Sequence, residues 1–519
     1  MSELLRASWD VVIIGTGMGG GTLGRALAGA GKKVLFIEKG PSGHRREETP
    51  LSHDIFVPEA RLARGLWPAP MRAVVDGIEQ SFYGPLGAGV GGSSVFYAAT
   101  LERPAPQDLD STNERPHPTG GWPVSYAGFE PYLARAEALY HVRGGADALS
   151  PEPSCVLPAA DAMSEVDRVI AERLSAAGMH PYHLHSAVKN VEGCKNCLGF
   201  KCPMPCKMDA RSAGVEPAIA SGNAALLDSA EVTRLVGDGQ KISHIELRIG
   251  GEHHELHAPL FVLAGGAFGS PRLCLGSASE AFPEGVANAS GLLGRGLMFH
   301  LNEMFAVWPG IKDGGPSKSV GFRDLLWYEG ERLGMVQAMG IDASYGEILH
   351  YLRLRLARNA LGQKRLVQEA ARLPAAVAAK VLGNAKVFVG LMEDLAYDDN
   401  RVLPPEGDVI AFEYRLNDEL LKRRKLFRRA IKQAFKGQRQ MFLSGSPELN
   451  YGHPCGTMRF GKDAKRSVLN GNGRVHELRN LYVADASFMP SSMGVNPSLA
   501  IAAQALRVAE AILERGEYE

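Results

Sequence analysis

The apolar run Val11-Val12-Ile13-Ile14 leads directly into Gly15-Thr16-Gly17-Met18-Gly19-Gly20, a G-x-G-x-x-G, and this junction constrains the chain more than any other feature. Leu23, Leu27 and Ala28 then recur at helical spacing as far as Gly31, and a second apolar run, Val34-Leu35-Phe36-Ile37, ends at Glu38. Strand, tight turn, helix and strand in this order predict a βαβ unit whose strands are parallel and buried on both faces. Each glycine has its own task. Gly15 permits the turn, Gly17 lets the backbone approach a pyrophosphate, and Gly20 lets helix and strand pack closely. The helix N-terminus favours phosphate charge, and Glu38 is placed to accept from ribose hydroxyls. A dinucleotide site is the expectation, with FAD and NAD both open on this element alone.

The chain has 519 residues, 45% of them hydrophobic, enough for a large core and two to four structural units. Lys plus Arg and Asp plus Glu both number 57, so a balanced surface gives no electrostatic reason to expect nucleic acid or an anionic membrane as partner. Residues 41–150 are rich in Gly and Pro and read as loop-dominated, whereas 125–140 and 161–178 read as helices. Strand character returns over 230–276, with Leu260-Phe261-Val262-Leu263 as a further buried run, and again at Leu481-Tyr482-Val483, before a helix from about 498. The stretch from Leu420 to Gln440 is a basic amphipathic helix, expected to be solvated on its charged face. No signal segment opens the sequence and no run of 18 apolar residues occurs, so a cytoplasmic protein without a transmembrane helix is expected, export with a signal-bearing partner being compatible with this.

Further motifs follow in order. Gly87-Ala-Gly-Val-Gly91-Gly92-Ser93-Ser94 and Gly265-Gly-Ala-Phe-Gly269-Ser270-Pro271 resemble the two signatures of the glucose–methanol–choline (GMC) family. Gly294-Arg-Gly-Leu-Met-Phe-His300 is similar to that family's G-x-N-L-x-D-H segment, matched imperfectly. His453-Pro-Cys-Gly-Thr-Met-Arg459, Asn480-Leu-Tyr-Val-Ala-Asp485 and the stretch from Asn496-Pro497-Ser to Val508 resemble its C-terminal region. The resemblance implies an α/β flavoprotein with a doubly wound, Rossmann-like FAD-binding domain and an inserted α+β substrate domain on an antiparallel sheet. The expected FAD-binding segments are 1–145, 226–300 and 453–519, and the expected substrate-binding segments are 146–225 and 301–452.

The resemblance also implies the chemistry: an FAD-dependent oxidoreductase that removes hydride from a CH–OH group of a sugar, glycoside or other alcohol. His453 and Asn496 correspond to the family's reacting pair, in the His–Asn variant shared with cholesterol oxidases and the pyranose and C-glycoside oxidase branch. Imidazole titrates near neutrality and suits the base, whereas an amide cannot take the proton but can orient the hydroxyl. Expected cofactor contacts are Gly15, Gly17, Gly20, Glu38, Gly91, Gly92, Ser93, Ser94, Val232, Asp485 and Pro497. No histidine lies in 90–100, where some pyranose oxidases attach their flavin, so non-covalent FAD is implied. Oxygen, a quinone or a redox partner all remain open as electron acceptor.

Cys194, Cys197, Cys202 and Cys206 form a tight group. Four such cysteines can hold an iron–sulfur cluster or zinc as thiolates, or stand as structural thiols or a disulfide in a substrate loop. The Cys-x4-Cys-x3-Cys part resembles the cluster-bearing subunit of bacterial FAD glucose dehydrogenases, which passes electrons to a partner protein. Related sugar oxidases carry a similar segment without metal. Metal and no metal are both open on the sequence, and an electron-transfer subunit is the alternative reading of the chain.

Overall fold

The computed structural model describes residues 2–43, 57–152, 157–189, 191–192, 199, 201–311, 317–341, 343–359 and 361–514. The two apolar runs of the N-terminal unit pair as parallel strands, Val11–Ile14 on Val34–Ile37. Three more short runs complete a five-stranded parallel sheet in the order Leu481–Val483, Phe261–Leu263, Val11–Ile14, Val34–Ile37, Ala224–Leu227. Successive side chains of a strand point to opposite faces. Val12, Leu35, Phe261 and Leu263 accordingly enter one core, while Val11, Ile13, Val34 and Phe36 enter another. That double burial is why the runs are continuously apolar. The helix Met18–Gly29 supplies Leu23 and Leu27 to the second core, and the C-terminal helix Ser498–Glu514 adds Val508 and Ile512.

The antiparallel sheet expected for the substrate part has six strands, in the order Arg439–Phe442, Leu301–Trp308, Lys386–Met392, Gly334–Ala338, Val320–Phe322, Tyr182–His183. Phe305, Phe388 and Phe435 meet on it with ring centroids 5.1–5.7 Å apart. Phe427 and Ile431 of the helix Asp418–Ala434 join this core. This is the basic helix of the sequence, and it differs from a simply solvated one. Arg423 is 2% exposed and donates to the carbonyls of Arg332 and Glu393, while Arg424 is buried against Glu303. A cation is tolerated there because carbonyl and carboxylate acceptors replace water.

A four-stranded sheet joins the two parts. The hairpin Met71–Val75 and Ile78–Phe82 pairs in parallel with Ile410–Tyr414, which in turn pairs with Arg401–Val402. This hairpin lies in the stretch expected to be loop-dominated. Its signal is the two-residue turn Asp76-Gly77, both at positive φ (50° and 79°), the turn geometry that matches strand twist.

Gly20 tests the packing directly. A Cβ there would lie 2.2 Å from the Gly15 carbonyl oxygen and 2.9 Å from Ala264 Cβ, neither of which can swing away. Gly20→Ala should therefore destabilise the protein by about 1–3 kcal/mol through overpacking. A thermal unfolding midpoint equal to that of the unmodified protein would contradict this packing.

Candidate active site

The parallel strands end at one level, with Ile14, Leu263 and Val483 in register, and the loops that follow them build one end of a large cavity. Gly15 turns at φ 107°, and a Cβ on it would meet the Ala264 carbonyl at 2.4 Å. Gly17 caps the helix in extended backbone, and a Cβ there would meet nothing within 4 Å. It is bare because it faces open space. Gly92, at φ 55°, crosses over it, so that its Cβ would lie 3.0 Å from Gly17 Cα. Thr16 locks the crossing: its hydroxyl donates to Glu38 at 2.6 Å and accepts from the Gly91 amide at 3.1 Å.

Glu38 also accepts from the amides of Thr16 (3.2 Å) and Gly40 (3.1 Å), while burial pushes its carboxyl up from the ordinary value against those donors. Among the expected cofactor contacts, Gly15, Gly17, Glu38, Gly92, Ser93, Ser94, Val232, Asp485 and Pro497 line the cavity, and Gly20 and Gly91 stand behind it. Ser93 accepts from the Gly87 amide and Ser94 donates to the Gly91 carbonyl, so both hydroxyls shape the glycine segment itself. Asp485 accepts four bonds, from the Gly266 amide, Ser270 Oγ, and the amide and hydroxyl of Ser487, although burial raises its carboxyl above the ordinary value. Its partners join the loop after Phe261–Leu263 to the loop after Leu481–Val483.

The same cavity, about 1300 Å³ in volume, reaches His453 and Asn496. Sites for a single small ligand run from about 300 to 1,000 Å³, so there is room for an extended dinucleotide and a second molecule. An antiparallel bridge, Met298↔Cys455, sets the far end, and its register continued by two residues puts His300 opposite His453. The two rings meet edge to face at 5.1 Å, with Nδ1 to Nδ1 at 3.2 Å. His300 is fully buried, and its Nε2 lies 3.0 Å from the Met493 carbonyl oxygen. Met493 holds φ 64°, a strained conformation for a side chain of its size, three residues before Asn496. His300 thus ties His453 to the loop that carries Asn496.

The hydrogen bonds assign the protons. A carbonyl only accepts, so His300 Nε2 carries hydrogen, and burial lowers its pKa to about 4, which keeps the ring neutral. His300 Nδ1 is then a lone pair facing His453 Nδ1. Two lone pairs at 3.2 Å would repel, so His453 Nδ1 carries a hydrogen and donates it, which leaves Nε2 free as a base. Asn450 Nδ2, also 3.2 Å from His453 Nδ1, competes for the opposite tautomer without relieving that repulsion. Burial pushes the His453 pKa well below its ordinary value, and His300 and Lys318 add to the shift. Lys318 is itself lowered to about 7 by burial, with Glu102 opposing. Asn496 is buried, and its Oδ1 has no hydrogen-bond partner among the described residues. A buried acceptor of this kind is costly unless something else donates to it.

The open cradle at Gly17, the acidic Glu38 at the second strand and the orphaned amide at the far end fit an extended dinucleotide. The family comparison decides which kind. The GMC oxidoreductase profile matches residues 11–302 in its N-terminal part and residues 397–505 in its C-terminal part. The chain belongs to the GMC oxidoreductase family. Paromamine 6'-oxidase of Streptomyces fradiae is 28% identical over 97% of this chain and 91% of its own. The fructose dehydrogenase large subunit of Gluconobacter japonicus is 27% identical over 98% of both. Among solved structures, pyridoxine 4-oxidase from Mesorbium loti superposes with a TM-score of 0.61 at 20% identity, over 98% of this chain and 99% of that one. Formate oxidase of Aspergillus oryzae gives 0.67 at 15%, over 99% of each, and both share the fold. This GMC oxidoreductase is accordingly an FAD enzyme acting on CH–OH donors.

His453 and Asn496, expected at one site from their motifs, line the same cavity, whereas His300, which ends the imperfectly matched segment, carries no expected role in the sequence. Lys318 had no signal at all. In the cysteine group, Cys194 and Cys197 lie outside the described residues. Cys202 and Cys206 are buried with their sulfurs 3.2 Å apart. Among the described residues no three His, Cys, Asp or Glu side chains converge as a metal set, and no helix is long and apolar enough to cross a membrane.

Gly17→Val separates fold from cofactor binding. The new side chain points into space, so the thermal unfolding midpoint of the flavin-free protein should hold while FAD is lost on gel filtration. Full flavin retention would place the dinucleotide elsewhere.

Proposed function

We propose that this GMC oxidoreductase oxidises a small alcohol, diol or sugar hydroxyl, with His453 as the base and Asn496 orienting the hydroxyl. The observation that carries the reading is that His453 and Asn496, whose Oδ1 is unpartnered among the described residues, both line the cavity that begins at the Gly17 cradle. Glu38 and the N-terminus of Met18–Gly29 would hold the adenosine ribose and the phosphates, with Val232 and Pro497 on the walls. FAD, when bound, supplies the acceptor for the hydride. His453 Nε2 takes the hydroxyl proton as the carbon–hydrogen bond breaks, leaving a carbonyl. The imidazolium so formed donates through Nδ1–H to His300 Nδ1, which keeps the ring aimed. Asn496 donates from Nδ2 to the oxygen of the same hydroxyl, whose one hydrogen goes to His453, and its Oδ1 is left to accept from another donor of the bound molecules.

The relatives suggest the substrate range. Their names include a paromamine 6'-oxidase, a fructose dehydrogenase and a 2-methyl-1,2-propanediol dehydrogenase, so both oxidases and dehydrogenases occur among them. Polyhydroxylated compounds and short diols head the panel for anaerobic flavin bleaching. A cytoplasmic location is the one we adopt.

With any alcohol that bleaches the flavin, His453→Ala should slow reduction by about 10²–10⁴-fold, the range for losing a positioned acid–base group. High pH should restore part of that rate, because alkoxide becomes more available. Asn496→Ala should slow reduction without such rescue, since orientation is lost and no base is missing. Because the His453 pKa is depressed, the unmodified enzyme should keep its rate from neutral pH down past the ordinary imidazole value and lose it only in more acidic solution. Rapid-mixing absorbance across pH reads all three. Reduction of His453→Ala at the full rate would overturn the assignment.

A further inference from the structure

The short helices between residues 345 and 382 carry a surface that the reaction site does not explain. Of the thirteen large apolar side chains exposed among the described residues, six fall here: Tyr345, Leu361, Leu366, Leu373, Val377 and Val381. Leu373, Val377 and Val381 stand at i, i+4 and i+8 on the helix Arg372–Leu382, so they form one ridge, 74%, 56% and 52% exposed. Leu366, on the neighbouring helix Arg365–Ala370, is 85% exposed. The other side of the bundle is apolar too, with Ala371 and Ala375 packed on Leu349. A helix with apolar residues on its inner side does not need a second apolar ridge on its outer side, and here that ridge is exposed.

The charges around the ridge have one sign. Lys364, Arg365, Arg372 and Lys380 are exposed, while the only acidic residue from 358 to 386 is Glu369. That carboxylate is already paired with Arg353 and Arg372. Lys364, Arg365 and Lys380 pair with no carboxylate among the described residues.

We propose that this face seats the protein on an anionic lipid surface. A ridge of Leu and Val flanked by Lys and Arg is the pattern of a helix lying in the headgroup layer, where apolar burial and attraction to acidic lipids act together. Eleven residues are too few to span a bilayer, so the helix lies on it. A second copy of the chain fits less well. A two-fold contact sets the same patch against itself and would bring like charges together. The expectation of no anionic membrane partner rested on the balanced total charge, and a local patch escapes that sum. The inner helix of the bundle, Tyr345–Leu356, gives His350, Tyr351, Leu354 and Arg355 to the wall of the reaction cavity. Ridge and cavity wall therefore belong to one unit.

Sedimentation of the flavin-loaded protein with vesicles tests this independently of turnover. The protein should pellet with phosphatidylcholine vesicles containing phosphatidylglycerol, pellet less with phosphatidylcholine alone, and be released by added salt. The triple variants Lys364→Glu/Arg365→Glu/Lys380→Glu and Leu366→Ser/Leu373→Ser/Val377→Ser should each bind about tenfold more weakly or worse. Both should keep flavin content and thermal midpoint, since the altered side chains are exposed. An unmodified protein that stays in the supernatant with both vesicle types overturns the proposal, as do serine variants that bind undiminished. Light scattering that shows a dimer dissolved by the serine variant would assign the face to a second copy and overturn it equally.

Discussion

Close contact of backbone with backbone at the ends of three parallel strands is the constraint on which the rest depends. A Cβ on Gly19 would lie 1.3 Å from the Ala484 carbonyl oxygen, and Gly15 and Gly20 close on each other and on Ala264. No side chain of any size fits these crossings, so the loops after Ile14, Leu263 and Val483 converge only because glycine occupies them. Asp485 then binds two of those loops through four hydrogen bonds. The cradle at Gly17 is the space left between these contacts, lined by backbone amides at a helix N-terminus where phosphate is favoured.

From that floor the cavity runs to a second constraint, the ring of His300. Its two nitrogens bridge His453 and the strained Met493 carbonyl, so His453 and the loop bearing Asn496 share one buried support. Neutrality of His300 sets the direction of the bond between the rings, and with it which nitrogen of His453 is free. In the proposed reaction His300 is the orienter of the base, and it is a neutral imidazole. Such a partner fixes the ring's direction without stabilising a charge on it, in keeping with a His453 pKa that burial keeps low.

What could be read in the sequence was what depends on neighbours in the chain. The G-x-G-x-x-G, its flanking apolar runs and Glu38 lie within 28 residues, and their meaning follows from local geometry. His453 and Asn496 were readable because each sits in a recognisable motif. His300 was not, since its role comes from a bridge between Met298 and Cys455, 157 positions apart. The inward turn of Arg423 and Arg424 was hidden for the same reason: the acceptors on Arg332, Glu393 and Glu303 come from other elements, and a helical pattern shows only charge. The hairpin at Asp76-Gly77 was available in the sequence but was masked by the glycine and proline around it. The exposure of Leu373, Val377 and Val381 depends on which other elements pack against their helix, and periodicity along the chain does not show that.

In the proposed enzyme one cavity carries a dinucleotide from the Gly17 cradle to the His453–Asn496 pair. A crystal structure of the FAD-loaded protein tests it most directly. The adenosine ribose should lie against Glu38, the pyrophosphate over Gly17, and the isoalloxazine ring beside His453 Nε2 and Asn496, with His300 still bonded to both His453 and Met493. A flavin whose isoalloxazine lies away from His453, or a His453 ring turned so that Nε2 faces His300, would contradict it.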